Sequence, residues 1–142
     1  MVMRYKRFLL TCAMLFVIAL AWNAVLHFVL FAKINAIVRP LYRPNLEDKI
    51  WLSLLLTAGV VTLFVIGHQR FTRSSSIREG AKYGLFFAAI AGLLVDLNQY
   101  VLYPIPGPVA LLWFLGGLIE FTLYGVLTSK LLSKPSPESP SA

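Results

Sequence analysis

Charge is scarce in this chain. Asp, Glu, Lys and Arg together make up 13% of its 142 residues, while 58% are apolar; an ordinary soluble domain has about 25% and about 45–50%. So few charges cannot cover a water-facing surface, so the composition points to lipid as the solvent. Cysteine is nearly absent. Cys12 stands alone in an apolar run, so no internal disulfide and no multi-thiolate metal site can form, and the thiol reads as packing. No metal site is expected. Catalytic signatures are missing as well: there is no G-x-S-x-G, no H-E-x-x-H and no phosphate-cradling glycine loop. The segments between apolar runs are too short to fold into a catalytic domain, so a non-enzymatic protein is expected. The net charge of +7 is distributed between apolar runs instead of being gathered on one surface. Such a distribution argues against a nucleic-acid partner and for orienting the chain and touching anionic lipid.

What the sequence has in abundance is long apolar runs. A helix needs about 20 residues to cross the hydrocarbon, and suitable windows occur at Phe8–Phe31, Ile50–Gly67, Tyr83–Tyr103 and Val109–Ser129. The runs are continuous, whereas strands of a membrane barrel alternate and are about half as long. The expected fold is therefore an all-α membrane protein, a four-helix transmembrane bundle over residues 1–132. The proline- and serine-rich residues 133–142 have nothing to bury and are expected to be a disordered cytoplasmic tail. The first window, preceded by "RYKR" and containing "ALA" at Ala19–Ala21, has some features of a cleavable leader. Its hydrophobicity continues through "VLHFVLF", which a removable segment does not require, so it reads as a span.

Basic residues set the expected orientation. Arg4, Lys6, Arg7, Arg70, Arg73, Arg78, Lys82, Lys130 and Lys134 fall on one side, against Lys33, Arg39, Arg43 and Lys49 in the first loop. The positive-inside rule then puts both termini in the cytoplasm and the "PIPGP" turn outside. An internal echo accompanies this topology: "HFVLF" (His27–Phe31) and "QYVLY" (Gln99–Tyr103) end the first and third spans, and "IWL" and "LWF" open the second and fourth. A tandem helical-hairpin repeat would explain it, with both copies pointing the same way; chance recurrence of aromatics at headgroup depth would too.

Polar residues inside the spans are the candidate site. An acid or base at the helix centre costs roughly 2.5–3.5 kcal/mol on insertion scales, so each must be paired, protonated, turned inward or near the surface. At 1.5 Å per residue, His27 lies about 6 Å, Asn23 about 12 Å and Asp96 about 10 Å below the outer ends of their spans, and Glu120 about 16 Å down, near the midplane. Asn23 and His27 share one helix face; Asp96, Gln99, Tyr100 and Tyr103 share another, with Asn98 opposite. Asp96 is expected to face inward, held by His27, by Asn23 or by both. No Lys or Arg lies within a span to neutralise it, so without a partner it would stay protonated, as would Glu120. Small residues mark close helix approach: Gly80, Gly84, Ala88 and Gly92 at four-residue spacing, and Gly116, Gly117 and Gly125 in the last span. A four-spaced row drifts about 40° per step, so one partner helix is expected to use only two or three members.

The stretch "REGAKYGLFFAAIAGLLVDLNQYVLYPIPGPVALLWFLGGLIEFTLYGVL" (residues 78–127) resembles a group of small bacterial four-span integral membrane proteins without an assigned activity, and "AWNAVLHFVLF" does so more loosely. The resemblance implies a multi-pass protein of the bacterial inner membrane and no particular chemistry. Two functional readings follow. The first is an accessory or assembly subunit packing laterally against other transmembrane proteins through its glycine-lined faces. The second is a small homo-oligomeric transporter or channel in which Asn23, Asp96, Gln99 and Glu120 line a path for protons, an ion or a small solute. No cofactor is predicted, although His27 and the aromatics leave a contact with haem, a quinone or a pigment open.

Overall fold

The computed structural model describes residues 2–72 and 76–132. Arg73, Lys134, the tail from 133 and the side chain of Arg4 lie outside the described residues. In chain order the elements are α1 (Val2–Ala24), a π-helical turn (Val25–Leu30), α2 (Ala32–Val38), short 3-10 turns at Arg39–Leu41 and Glu47–Lys49, α3 (Ile50–Phe71), α4 (Ile77–Leu94), α5 (Asp96–Leu102) and α6 (Gly107–Leu132). Four segments are long and apolar enough to cross a membrane: Tyr5–Leu30, Glu47–Phe71, Ile77–Leu102 and Gly107–Leu132. The chain is thus a multi-pass helical bundle with lipid as its surroundings. The spans extend a few residues beyond the apolar windows at most ends, where charged residues continue the helix, and stop one residue short at Leu30 and Leu102.

Local chemistry explains the ends and the irregularities. Ser76 caps α4 by accepting from the Glu79 amide at 3.2 Å, in an S-x-x-E arrangement that satisfies an otherwise orphaned donor. Hydroxyls within the spans turn back onto their own helix: Thr57, Thr62 and Thr122 donate to the carbonyls of Ser53, Ala58 and Leu118. In lipid that local bond removes the cost of a bare hydroxyl. The first span loosens where the Phe31 amide reaches the Leu26 carbonyl, five residues back, at 2.6 Å. The third span breaks at Val95, whose φ of −110° and ψ of −71° interrupt the ladder between α4 and α5. No proline or glycine pair occurs there to account for the break. The π-helical turn overlaps the echoed "HFVLF", whereas the break at Val95 lies four residues before "QYVLY", so the first and third spans are both interrupted in the loop half but out of register with the echo.

Packing is unequal along the bundle. The core lies in the half nearest the chain ends: Leu15 and Ala19 from α1, Val61, Phe64 and Val65 from α3, and Tyr124 from α6. Phe64 is its hub, with ring centroids 5.0, 5.1, 5.8 and 5.9 Å from Tyr83, Phe87, Phe121 and Tyr124, separations typical of favourable edge and offset contacts. In this half α4 and α6 approach to backbone contact. A Cβ placed on Gly80 would collide with the Gly125 carbonyl, and one on Gly84 with the Phe121 carbonyl. Further along the same row, Gly92 faces the Phe114 ring instead of backbone. The whole row Gly80, Gly84, Ala88 and Gly92 is buried, where only two or three members were expected to serve one helix. The expected drift appears as divergence: a phenyl ring fits between α4 and α6 where the row has turned away from their closest line. Gly116 faces Leu26 of the first span.

The loop half is looser. The α3 residues Ile50–Leu56 are all exposed, so this end of α3 stands away from the other helices. A smaller cluster closes the far end, where Val38 of α2 packs on Ile105 and Val109 beside Ile34 and Trp113. The first loop therefore folds over the Tyr103–Pro106 turn, and Asn45 takes a left-handed φ of 63° within it, a conformation that asparagine tolerates better than most residues.

Candidate functional site

Divergence of the helices in the loop half leaves a cavity of about 770 Å³. All five polar residues singled out from the sequence line it: Asn23, His27, Asp96, Gln99 and Glu120. Glu120 lies at the middle of α6 and forms the floor with Phe87, Ala88 and Phe121. Asp96, the first residue of α5, projects across α6 at Gly117: a Cβ on that glycine would be 3.6 Å from Asp96 Oδ2. Because Gly117 and Glu120 are three apart on one helix face, this brings the two carboxyls into electrostatic range of each other. A Cβ at Gly117 would stand in ordinary contact with the Asp96 carboxyl, so the glycine leaves space beside that group.

The hydrogen bonding differs from what the spacing suggested. Asn23 Nδ2 donates to Glu120 Oε1 at 3.2 Å and to the Ala19 carbonyl at 2.9 Å, not to Asp96. Tyr124, one helical turn beyond Glu120, donates its hydroxyl to the same Oε1. His27 is held by Asn35 of α2: the amide nitrogen donates to the His27 carbonyl at 2.6 Å and lies 3.3 Å from Nδ1. Asn35 thereby satisfies a backbone group at the π-helical turn and ties α2 to it. The expectation that His27 or Asn23 holds Asp96 is corrected. The residues do share one cavity, but His27 lies in the π-helical turn, off a regular helical phase, and Glu120 is the acceptor that Asn23 meets. Among the described residues no hydrogen bond or ion pair reaches the Asp96 carboxyl.

The first loop supplies walls that the spans alone did not foretell. Leu41, Tyr42 and Arg43 border the cavity at its loop end, Val60 and Val95 border it laterally, and Trp113 and Tyr103 add aromatic surface. Arg43 is the one Lys or Arg among these lining residues. Tyr124 was detectable in principle, being four residues from Glu120 on a helix; nothing local in the sequence assigns Arg43 or Asn35 to this place.

On the other side of the core, His68 and Ser129 are almost wholly buried, with His68 Nε2 2.9 Å from Ser129 Oγ. The His68 ring stands edge-on to Tyr83 at 5.5 Å. The two histidines therefore occupy opposite halves of the bundle, and among the described residues no group of three or more His, Cys, Asp or Glu is placed to hold a metal ion. Compared with known proteins, the chain matches no family model, no curated protein and no solved structure.

Proposed function

We propose that the chain is a non-enzymatic, multi-pass protein of the bacterial inner membrane that carries a small solute, bound in the cavity above Glu120. One observation carries this reading: the cavity is closed towards the chain ends. It is bordered in the loop half by Tyr42 and Arg43 and along its flank by the exposed Val60 and Val95, and it ends at Glu120 and Phe121, beyond which Leu15, Phe64, Val65 and Tyr124 are packed to near-complete burial. An open channel would need a continuous polar path, whereas a carrier needs a site closed on one side at a time around intramembrane polar groups. The interruption of the first and third spans beside the cavity supports the same reading. The imbalance of basic residues supports termini in the cytoplasm and a cavity facing outward. A non-enzymatic role is supported by the burial of the His68–Ser129 pair, which no substrate can reach in this packing.

The test uses Ala91, on the cavity wall. Ala91→Cys, made in a Cys12→Ser background, is exposed to a membrane-impermeant thiol reagent in intact cells and in inverted vesicles. A carrier gives labelling from both sides, faster from outside, with Asn45→Cys labelled from outside and Gln69→Cys from inside as markers of orientation. Labelling of Ala91→Cys from the outer side alone would refute the carrier reading.

The accessory-subunit reading keeps one favourable observation, the unpartnered loop-half end of α3 with Trp51, Leu55 and Leu56 exposed. The glycine row does not support it, since α6 occupies that face. Co-purification of a larger membrane protein in mild detergent, lost on Leu55→Trp, is the result that would favour it.

A further inference from the structure

The cavity has more specific chemistry than a generic solute site. Its deep end carries two carboxyls with acceptor capacity unused by the described residues. Both bonds to Glu120 fall on Oε1, leaving Oε2, and neither oxygen of Asp96 is engaged. Between and above them the wall is chiefly apolar and aromatic, with Phe87, Phe121, Trp113, Leu26, Ala91 and Ile105. The indole N–H of Trp113 is buried and has no partner among the described residues. Low dielectric makes each of these facts count. An anionic ligand would meet two carboxyls, and a neutral polyol would leave most of its hydroxyls against hydrocarbon. The volume of about 770 Å³ lies within the roughly 300–1,000 Å³ of sites for small organic ligands, far more than a bare metal ion or proton requires.

We infer that the cavity binds an amphipathic organic amine as its cation, the ammonium donating to Asp96 and Glu120 and the apolar body lying along Phe87, Phe121 and Trp113. The inference rests on the solute-binding reading above and narrows it to a ligand class. The cation is the partner that lets the acids give up their protons and ionise; its N–H groups then donate to the carboxylates, and the aromatic faces add cation–π attraction in a desolvated site. Arg43 stands at the loop-end rim, away from the floor, so it leaves the two carboxyls to the ligand. The ammonium has two possible sources, a free amine or the headgroup of an aminophospholipid entering laterally past Val60 and Val95, and the chemistry of recognition is the same.

The test is equilibrium binding to the full chain in nanodiscs of phosphatidylglycerol, against empty nanodiscs, with three probes of one shape: 4-phenylbutylamine, 4-phenylbutan-1-ol and 4-phenylbutyrate. The amine is expected to bind saturably, with the alcohol and the acid at least about tenfold weaker, the loss that follows from removing a charge-assisted bond. Asp96→Asn is expected to weaken the amine about tenfold or more while eluting and melting as the parent protein does, and Ala91→Phe, which fills the cavity without touching the acids, to abolish binding. Loss of amine binding when phosphatidylethanolamine is added would identify the lipid headgroup as the source and uphold the ammonium class. Binding of the alcohol or the acid as tight as that of the amine, blocked by Ala91→Phe, would overturn the ligand class and leave the carrier reading standing. Absence of saturable binding by all three probes would overturn the inference, and the two-sided labelling of Ala91→Cys would then show whether the carrier reading falls with it.

Discussion

Replacing Gly84 by alanine tests the closest contact in the bundle. The added Cβ would sit 2.8 Å from the Phe121 carbonyl carbon and 2.9 Å from Thr122 Cα, where ordinary contact begins at 3.4 Å. Both obstacles are backbone and the Phe121 carbonyl oxygen lies closer still, so no rotamer change relieves them; α4 and α6 must separate by more than 0.6 Å at this point, the difference between 2.8 and 3.4 Å. A gap of roughly that size forfeits about a quarter or more of each affected van der Waals contact, and overpacking of this kind costs about 1–3 kcal/mol. In lipid the loss is not offset by water leaving an apolar surface, because packing itself is what holds membrane helices together. Gly59→Ala is the control, since a Cβ there meets nothing within 4 Å and alanine is the better helix former by about 1 kcal/mol in peptides. Unfolding by sodium dodecyl sulfate, followed by far-ultraviolet circular dichroism in mixed micelles, should show Gly84→Ala destabilised by about 2 kcal/mol and Gly59→Ala unchanged or slightly more stable. Equal stability of Gly84→Ala and the parent, or equal losses for the two variants, would show that α4 and α6 do not meet along this row.

The same titration reads two further contacts. Tyr124→Phe removes one of the two donors on Glu120 and is expected to cost about 0.5–2 kcal/mol, while Glu120→Gln keeps an acceptor for both donors and should cost less; the opposite order would contradict the assigned bonding. Ser129→Ala leaves His68 Nε2 without the hydroxyl 2.9 Å away and should cost about 1–3 kcal/mol, with a non-additive double variant Ser129→Ala/His68→Phe. Strict additivity would mean that the two side chains do not interact.

The fold was readable because its signal is coarse. Twenty apolar residues in a row mean a membrane span whatever their order, and the windows from Phe8, Ile50, Tyr83 and Val109 each match one observed span, two of them ending one residue past it. Membership of the site was readable for a related reason: an acid or amide in a span must avoid the acyl chains, so Asn23, His27, Asp96, Gln99 and Glu120 converge on one cavity. Their pairing was not readable. It depends on the π turn at Val25–Leu30 and the break at Val95, which shift helical phase by a fraction of a turn and have no proline or glycine to announce them. Arg43, Tyr42 and Asn35 were beyond reach because a loop's course over the bundle is set by tertiary contacts such as Val38 on Ile105.

Stability and binding are separated along the axis of this bundle, and the glycines show how. Where Gly80, Gly84 and Gly125 permit backbone contact, α4 and α6 are locked, and the space beside them is filled by the rings around Phe64. From Gly92 onward the same two helices hold a phenyl ring apart from backbone, and the room gained reaches Gly117, where it admits the Asp96 carboxylate. A carboxyl brought into the tight half would have to be desolvated against packed rings without room for a partner, at a cost of several kcal/mol. In the open half it can meet a ligand. Enlarging Gly117 should therefore act on the site and spare the core: Gly117→Ala places a methyl in ordinary contact with Asp96 Oδ2 at 3.6 Å, crowding the position a bound ammonium would take. Weakened amine binding with unchanged resistance to sodium dodecyl sulfate is the expected pair of results. A loss of stability as large as that of Gly84→Ala would mean that the two halves are not energetically distinct.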